Sequence, residues 1–446
     1  MLARVPTALT LGLLGALLET AFLALRRLHP FDEHVVEVVA VALAASVVYF
    51  IAVWLAGTLR KPTRLAILII LLAAVLFRLT LFDLPPSLSD DLYRYQWDGQ
   101  LQLAGQNPYL VAPEARPKLP GAGYITPYGP LTQLLFRLTA RVDGVLAFKL
   151  LSLLFDLGSL LLLMALLRAH GLEVERALIY GWCPLVVVEF AGSGHNDSIT
   201  LFAILLACWL VERKRAVWST LPLAAAVLTK WFPALLLPIF MGHAAWPRTQ
   251  THSGAEVEAS SNPGVWVRGG RALALFAAAV VLGFSPYLDA GWSLVAGVRS
   301  YAESWRNNAS LFDLLRVTGS DTAAGAIAAL LVGGLALYLA AKRAEPLRAS
   351  YILIAALLLL SPSVFPWYLT WLIPFLCFFP NTGLLLWTAT IFLSYHVLIG
   401  YTAHGAWQYD PWLIWLEYAP VYAVLLLGVL RRGGAGRKST GAAGAG

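Results

Sequence analysis

The chain has 446 residues, 59% of them apolar and only 13% charged, with 16 Trp and a formal net charge of +7. That balance excludes a soluble globular domain and describes a polytopic membrane protein. Lys and Arg fall in short clusters between apolar runs rather than along one polar face, so they read as topology signals and not as a nucleic-acid surface.

A ruler of ~20 residues per membrane helix places spans near Thr7 to Leu25, Val35 to Gly57, Leu65 to Phe82, Val145 to Leu167 and Ala177 to Phe190. Further spans follow near Ile199 to Val211, Ala272 to Tyr287, Ala323 to Ala341, Tyr351 to Leu360, Tyr368 to Phe379, Leu384 to Gly400 and Ile414 to Leu430. The first run lacks a small-residue cleavage site and ends in Arg26 and Arg27, so it is expected to remain as a helix. Cys183, Cys208 and Cys377 all lie in apolar stretches without CxxC spacing, which implies neither a disulfide framework nor a zinc site.

Lys230, Pro233 and Pro238 interrupt the apolar stretch from Ala216 to His243, which predicts a broken or hairpin pair of helices. Counting that stretch as one or two crossings gives about 13–14 membrane helices, and the even count returns both termini to one side. That side then holds Arg4, Arg60, Lys61, Arg168, Arg176, Arg213, Lys214, Arg215, Arg268, Arg271, Lys342, Arg343 and the basic tail; Arg26 and Arg27 dissent. By the positive-inside rule it is cytoplasmic, so the protein is expected to sit in a bacterial-type plasma membrane with its polar motifs facing out.

This organisation is a single membrane domain over 1–432, with a first large outer loop at 83–143 and a second at 289–321. A Ser/Gly/Glu-rich linker at 245–270 and a Gly/Ala tail at 433–446 are expected to be disordered and cytoplasmic. No internal repeat is evident, which disfavours a carrier built from inverted repeats.

The first outer loop carries the densest chemistry. Pro85 and Pro86 end the incoming helix, and Asp90 and Asp91 open an interfacial helix with Arg94 and Asp98 one and two turns on. One Asp there can serve as a cap, but two adjacent acids at a bilayer surface point to function. His195, Asn196 and Asp197 form a second cluster, either capping the next helix or contacting a substrate or metal. Lys230 interrupts an apolar run at bilayer depth, where an unpaired charge is expensive.

The stretch SDDLYRYQWDGQLQLAGQNPY followed by TPYGPL resembles the first periplasmic loop of bacterial GT-C glycosyltransferases that use polyprenyl-phosphate sugars, and more distantly the first GPI mannosyltransferase. GSGHNDS, KWFP, YAESWRNNASLF and SPSVFPWYLTW match in order across most of the chain. The resemblance implies an all-α GT-C fold and an inverting transferase with its active site on the outer face. It also implies an Asp in the first outer loop as general base, and laying WDGQLQLAGQNPY over its counterpart selects Asp91. Asp90 stands as the alternative, or with Asp91 as a ligand if a divalent metal is used.

A sugar phosphate leaves as a stabilised anion, so one base suffices where a glycosidase needs two carboxyl groups. The departing phosphate needs cations, and Lys230, Arg94, Arg299 and Arg306 are the candidates, although an outer-loop Arg can equally snorkel to headgroups. Tyr128, Tyr301, Trp305 and Trp367, with His195, Asn196, Asp197 and Asn308, are the candidates for sugar or acceptor contact; most other rim aromatics read as an interfacial belt. Relatives carry a His before the Pro of the SPxxxPWY corner. Phe365 stands there in this chain, leaving His396 and His404 as substitutes by topology alone.

The expected activity is transfer of a hexose, mannose above all, from a polyprenyl-phosphate donor to a lipid-linked or envelope glycan acceptor. A multi-pass transporter of a polar solute and a non-catalytic subunit of an envelope complex are the alternatives. The transporter requires polar groups continuing to the cytoplasmic side, and the inner halves of these spans carry few.

Overall fold

The computed structural model describes residues 7–57, 63–114, 122–246 and 264–441. Among the described residues the regular structure is helical, with one isolated bridge between Asn307 and Ser363 and no strand. Helices α1 (Thr7–Arg27), α2 (Val35–Gly57) and α3 (Arg64–Phe82) pack together, with Phe22 and Phe77 meeting at 4.9 Å between ring centroids. Thr63 starts α3 by accepting a hydrogen bond from the Ala66 amide, as an N-cap should.

Two short helices of the loop at 83–143 follow, α4 (Asp91–Leu103) and α5 (Pro130–Thr139), and then α6 (Leu146–Ala169), which packs on the helix Asp197–Glu212. In helix α4, Leu92 and Tyr95 bury against Phe136 of α5 and Phe148 of α6, and the polar Asp98 and Gln102 are buried too, bonded to Gln133 of α5.

Among the described residues, 8 helices are long and apolar enough to cross a membrane, and a bent pair, Pro184–Gly192 with Asp197–Glu212, adds one more. The other expected spans are shorter or broken helices: Thr220–Thr229, Phe232–Ala245, Pro346–Leu360 and the pieces Pro366–Leu369 and Ile373–Leu376. Proline explains the breaks, since Pro184, Pro233, Pro366 and Pro374 each sit in the first turn of a short piece, where a missing N–H is tolerated. Irregular backbone at membrane depth is stable only inside protein. Trp182, Leu372 and Phe375, at these breaks, are fully buried.

The stretch 216–243 breaks at Lys230 into two short helices, as its prolines predict. Arg26, which dissented from the charge rule, forms a bidentate pair with Asp83 and donates to the Thr80 carbonyl. It therefore belongs to the same end of the bundle as the loop at 83–143. That guanidinium holds the Asp83 carboxyl below the usual carboxylate range.

Arg4, Arg60, Lys61, most of the linker (247–263) and the end of the tail (442–446) lie outside the described residues. The last helix runs from Pro411 to Gly441.

Candidate active site

Asp91 is the first residue of α4, where the helix dipole favours a negative charge, and its amide donates to Ser89 Oγ at 3.2 Å. Asp90 precedes it at the N-cap position, without a side-chain cap bond. Asp91 opens onto a cavity of about 370 Å³ together with Arg94, Lys230, Trp305, Trp367 and Trp371. Tyr128, Tyr301 and Tyr368 complete the polar wall, and Val298, Leu357 and Leu358 give an apolar flank suited to a lipid chain.

The two cations in this wall are held differently. Arg94 is buried, donates from Nε to Asp98 Oδ1 at 2.8 Å and lies over the Trp97 ring at 5.2 Å. Gln133 donates to the other Asp98 oxygen at 2.7 Å, so the carboxylate that orients Arg94 is itself fixed. One terminal nitrogen of Arg94 is buried with no partner among the described residues. An anion in the cavity would satisfy it.

Lys230 closes the C-terminal end of the helix Thr220–Thr229, and its Nζ donates to Asp197 Oδ1 at 2.6 Å. The ammonium also lies 5.1 Å from the Tyr368 ring centroid and 5.5 Å from that of Trp371.

His195, Asn196 and Asp197 stand one layer behind this wall, each against a lining residue or its neighbour. Asp197 accepts from Lys230 and from Trp371 Nε1, the latter at 2.5 Å. Asn196 Oδ1 accepts from Tyr95 at 3.5 Å. His195 stacks on Trp367, with centroids 4.2 Å apart and planes at 18°, and its Nε2 lies 3.9 Å from Asp91 Oδ2. Gly194 permits this turn: its φ is +76°, and a Cβ there would come within 2.9 Å of both Leu92 and Lys149.

Gly129 serves a comparable close approach, because a Cβ would overlap the Leu228 carbonyl; its amide donates to Thr229 at 3.2 Å, bringing α5 against the Lys230 turn. The Tyr301 hydroxyl lies 2.7 Å from that of Tyr368 and donates to Ser363 at 3.3 Å. Burial pushes the Tyr301 phenol up to about 12, which leaves it a hydrogen-bonding group rather than a base at neutral pH. Tyr301 stacks on Trp305 at 5.5 Å.

Besides Asp90 and the His195, Asn196 and Asp197 layer behind the wall, three further sequence candidates do not line this cavity. Arg299 is exposed and pairs with Glu303, Arg306 pairs with Asp321, and Asn308 is buried with its amide on the Glu417 carboxylate at 3.0 and 3.1 Å. Asn308 works structurally, fastening the outer loop to the last helix. The neighbouring Asn307 fastens the proline corner, donating to the Val364 carbonyl and accepting from Trp407 and Tyr409. Phe365 stacks on Trp367 at 4.5 Å, while His396 and His404 stand away from the cavity wall. Among the described residues no group of three or more His, Cys, Asp or Glu is placed to hold a metal ion.

Glu189 was not singled out by the sequence, although an acid inside the apolar run LVVVEFAG is the signal that marks it. It sits in a single π-helical turn, Val187–Gly192, is fully buried, and places Oε2 3.0 Å from His195 Nδ1.

Residues 5–246 match the family model described as the alpha-(1->6)-mannopyranosyltransferase N-terminal domain, and residues 305–432 match that of the MptB C-terminal domain. The chain belongs to this family. It is 26% identical over 397 residues to a probable alpha-(1->6)-mannopyranosyltransferase of Mycolicibacterium smegmatis, covering 74% of this chain and 68% of that protein. Over 167 residues it is 27% identical to alpha-(1->6)-mannopyranosyltransferase A of Corynebacterium glutamicum, a match that spans 34% of each. The family model for the N-terminal domain contains the first outer loop, the His195 cluster and Lys230; the C-terminal one contains the proline corner.

Proposed function

We propose that the protein is an inverting mannosyltransferase that moves mannose from a polyprenyl-phosphate donor to a lipid-linked or envelope glycan on the outer face of the membrane, forming an α-1,6 linkage. Both termini are cytoplasmic in this reading. The observation that carries it is that one carboxylate, Asp91, and two held cations, Arg94 and Lys230, line the same cavity beside an apolar flank. The family membership supports the sugar and the linkage.

In this reaction the acceptor hydroxyl oxygen attacks the anomeric carbon while the bond from that carbon to the phosphate oxygen breaks. The hydroxyl proton passes to Asp91, and the leaving phosphate takes the electron pair. The free nitrogen of Arg94 and the Lys230 ammonium meet the charge that gathers on the phosphate, which makes their contribution larger as the bond breaks. Tyr301, Trp305 and Trp367 supply faces for the sugar and the chain of the donor. No second acid is required, because the phosphate leaves without protonation.

The test is transfer by purified protein in lipid vesicles supplied with radiolabelled polyprenyl-phosphate mannose and an α-mannoside acceptor. Product cleaved by an α-1,6-specific mannosidase is expected, with activity lowered at least about 100-fold in Asp91→Asn. Full transfer by folded Asp91→Asn would overturn the base assignment. Transfer from a nucleotide sugar with none from the lipid donor would overturn the donor.

A further inference from the structure

The cavity wall has a second layer whose chemistry the transfer reaction leaves unexplained. His195 is 1% exposed and both its ring nitrogens lack a hydrogen-bond partner among the described residues, an expensive state for a buried imidazole. Its main chain is pinned on both sides: the amide donates to the Glu189 carbonyl at 3.0 Å, and the carbonyl accepts from Ser152 at 2.7 Å. Trp367 covers one face of the ring, and Phe365 covers Trp367. The imidazole is therefore held in place by packing and backbone, with both nitrogens left for carboxylates.

Those carboxylates lie on opposite sides. Nε2 faces Asp91 Oδ2 at 3.9 Å, and Nδ1 faces Glu189 Oε2 at 3.0 Å without the alignment of a hydrogen bond. Glu189 is anchored in turn, because its other oxygen accepts from Tyr395 at 2.5 Å. Asp91, His195, Glu189 and Tyr395 thus form a line running from the cavity into the protein interior. A ring that only filled space beside Trp367 would need no nitrogen facing either acid.

We propose that His195, backed by Glu189, is the positioning residue of the Asp91 base. The inference rests on the transferase reading above. With its Oε2 3.0 Å from Nδ1, the Glu189 carboxylate favours the tautomer that carries its hydrogen on Nδ1, which leaves the Nε2 lone pair toward Asp91. When Asp91 removes the acceptor's proton, its new O–H donates to Nε2, and the proton can cross to give an imidazolium between two carboxylates. The Asp91 O–H bond breaks as the Nε2–H bond forms, so Asp91 is again a carboxylate; before the next turnover the Nε2–H bond breaks in turn, and the proton leaves through Asp91, whose side chain is 27% exposed, to water in the cavity. The role acts through Asp91, and His195 is not required to touch the sugar.

The experiment compares kcat and donor KM for vesicle-reconstituted wild type, His195→Phe, His195→Gln, Glu189→Gln, Asp91→Asn and the double variant Asp91→Asn/His195→Phe. Phe keeps the ring and its stacking on Trp367, and Gln keeps a polar group if Phe does not fold. His195→Phe is expected to lower kcat about 100-fold with donor KM changed less than about twofold, and Glu189→Gln to lower kcat about tenfold. In the double variant the two losses are expected not to multiply, because both act on one proton transfer.

Multiplying losses, or a His195 variant with wild-type kcat, would overturn the inference while leaving the Asp91 assignment standing. A rise in donor KM with kcat unchanged would overturn it in favour of direct sugar contact. Wild-type transfer retained by Asp91→Asn would instead remove the base assignment, and the inference with it.

Discussion

Lys230 and Asp197 join the ends of two helices inside the protein, with Nζ 2.6 Å from Oδ1. Asp197 begins the helix Asp197–Glu212 and Lys230 closes the helix Thr220–Thr229, so each charge also complements the dipole of its own helix end. The pair shapes the cavity as well as charging it, since Asp197 holds Trp371 through the same oxygen. Removing the lysine alone strands a buried carboxylate. Lys230→Met is expected to lose roughly 3 kcal/mol of stability, the scale for breaking a buried pair, and most transfer activity. Lys230→Met/Asp197→Asn is expected to regain the melting temperature in detergent and not the activity. Recovery of both would reduce Lys230 to a structural role.

A second buried pair predicts the opposite pattern. Arg78 of α3 donates to both oxygens of Asp156 on α6, at 2.5 and 3.0 Å, and to the carbonyls of Ala74 and Gly181. Tyr180 adds a hydrogen bond to the same carboxylate at 2.7 Å. The network uses four of the five guanidinium N–H groups and does not line the cavity, so it fastens helices rather than meeting a substrate. Arg78→Leu is expected to cost roughly 3–5 kcal/mol by leaving Asp156 unpaired and to reduce yield in membranes. Arg78→Leu/Asp156→Leu is expected to restore yield with transfer per folded molecule within about twofold of wild type, because an apolar pair of similar volume is tolerated there.

These pairs mark where sequence reading reaches its limit. Lys230 was legible because a charge between apolar runs, next to Trp231 and Pro233, has to be held by something at that depth. Its partner was not, since Asp197 lies 33 positions away and only the fold brings the two helix ends together. Asp91, Arg94, Tyr301 and Trp367 were legible as candidates in polar stretches between apolar runs, and the cavity unites them. Arg299 looked equivalent to Arg94 in a loop, but it faces away on an exposed helix surface. The interrupted spans were harder, since a 20-residue ruler assumes straight helices and the prolines here leave short pieces sheltered by protein. Glu189 was hidden for a related reason: one acid in an apolar run says that a partner exists and not which one.

Gly194 gives the sharpest test of how the His195 layer is built. Its φ of +76° strains any L side chain, and an added Cβ would crowd Leu92 of α4 and Lys149 of α6 at 2.9 Å each. Gly194→Ala is expected to lower stability by roughly 1–3 kcal/mol, and to lower kcat further by shifting His195 and α4 relative to each other. The check is a melting curve in detergent beside transfer kinetics. A variant with wild-type melting and wild-type kcat would show that the turn tolerates a side chain.

Under the proposed reaction, Arg94 and Arg299 separate phosphate binding from surface charge. Arg94 is buried, oriented by Asp98 and Gln133, and has an unpartnered nitrogen beside the cavity, whereas the Arg299 side chain is 77% exposed and pairs only with Glu303 one turn away. A charge-assisted hydrogen bond to phosphate is worth about 1.5–3 kcal/mol, or roughly 10- to 150-fold in kcat/KM. Arg94→Ala is expected to lose that factor, and Arg94→Lys to recover little of it, because a point charge cannot keep the Asp98 bond while reaching the anion. Arg299→Ala is expected to stay within about twofold of wild type, as exposed pairs contribute little. Measuring kcat/KM against the lipid donor for these three variants decides the matter: equal losses at Arg94 and Arg299 would mean that the loop acts through its total charge rather than through one built contact.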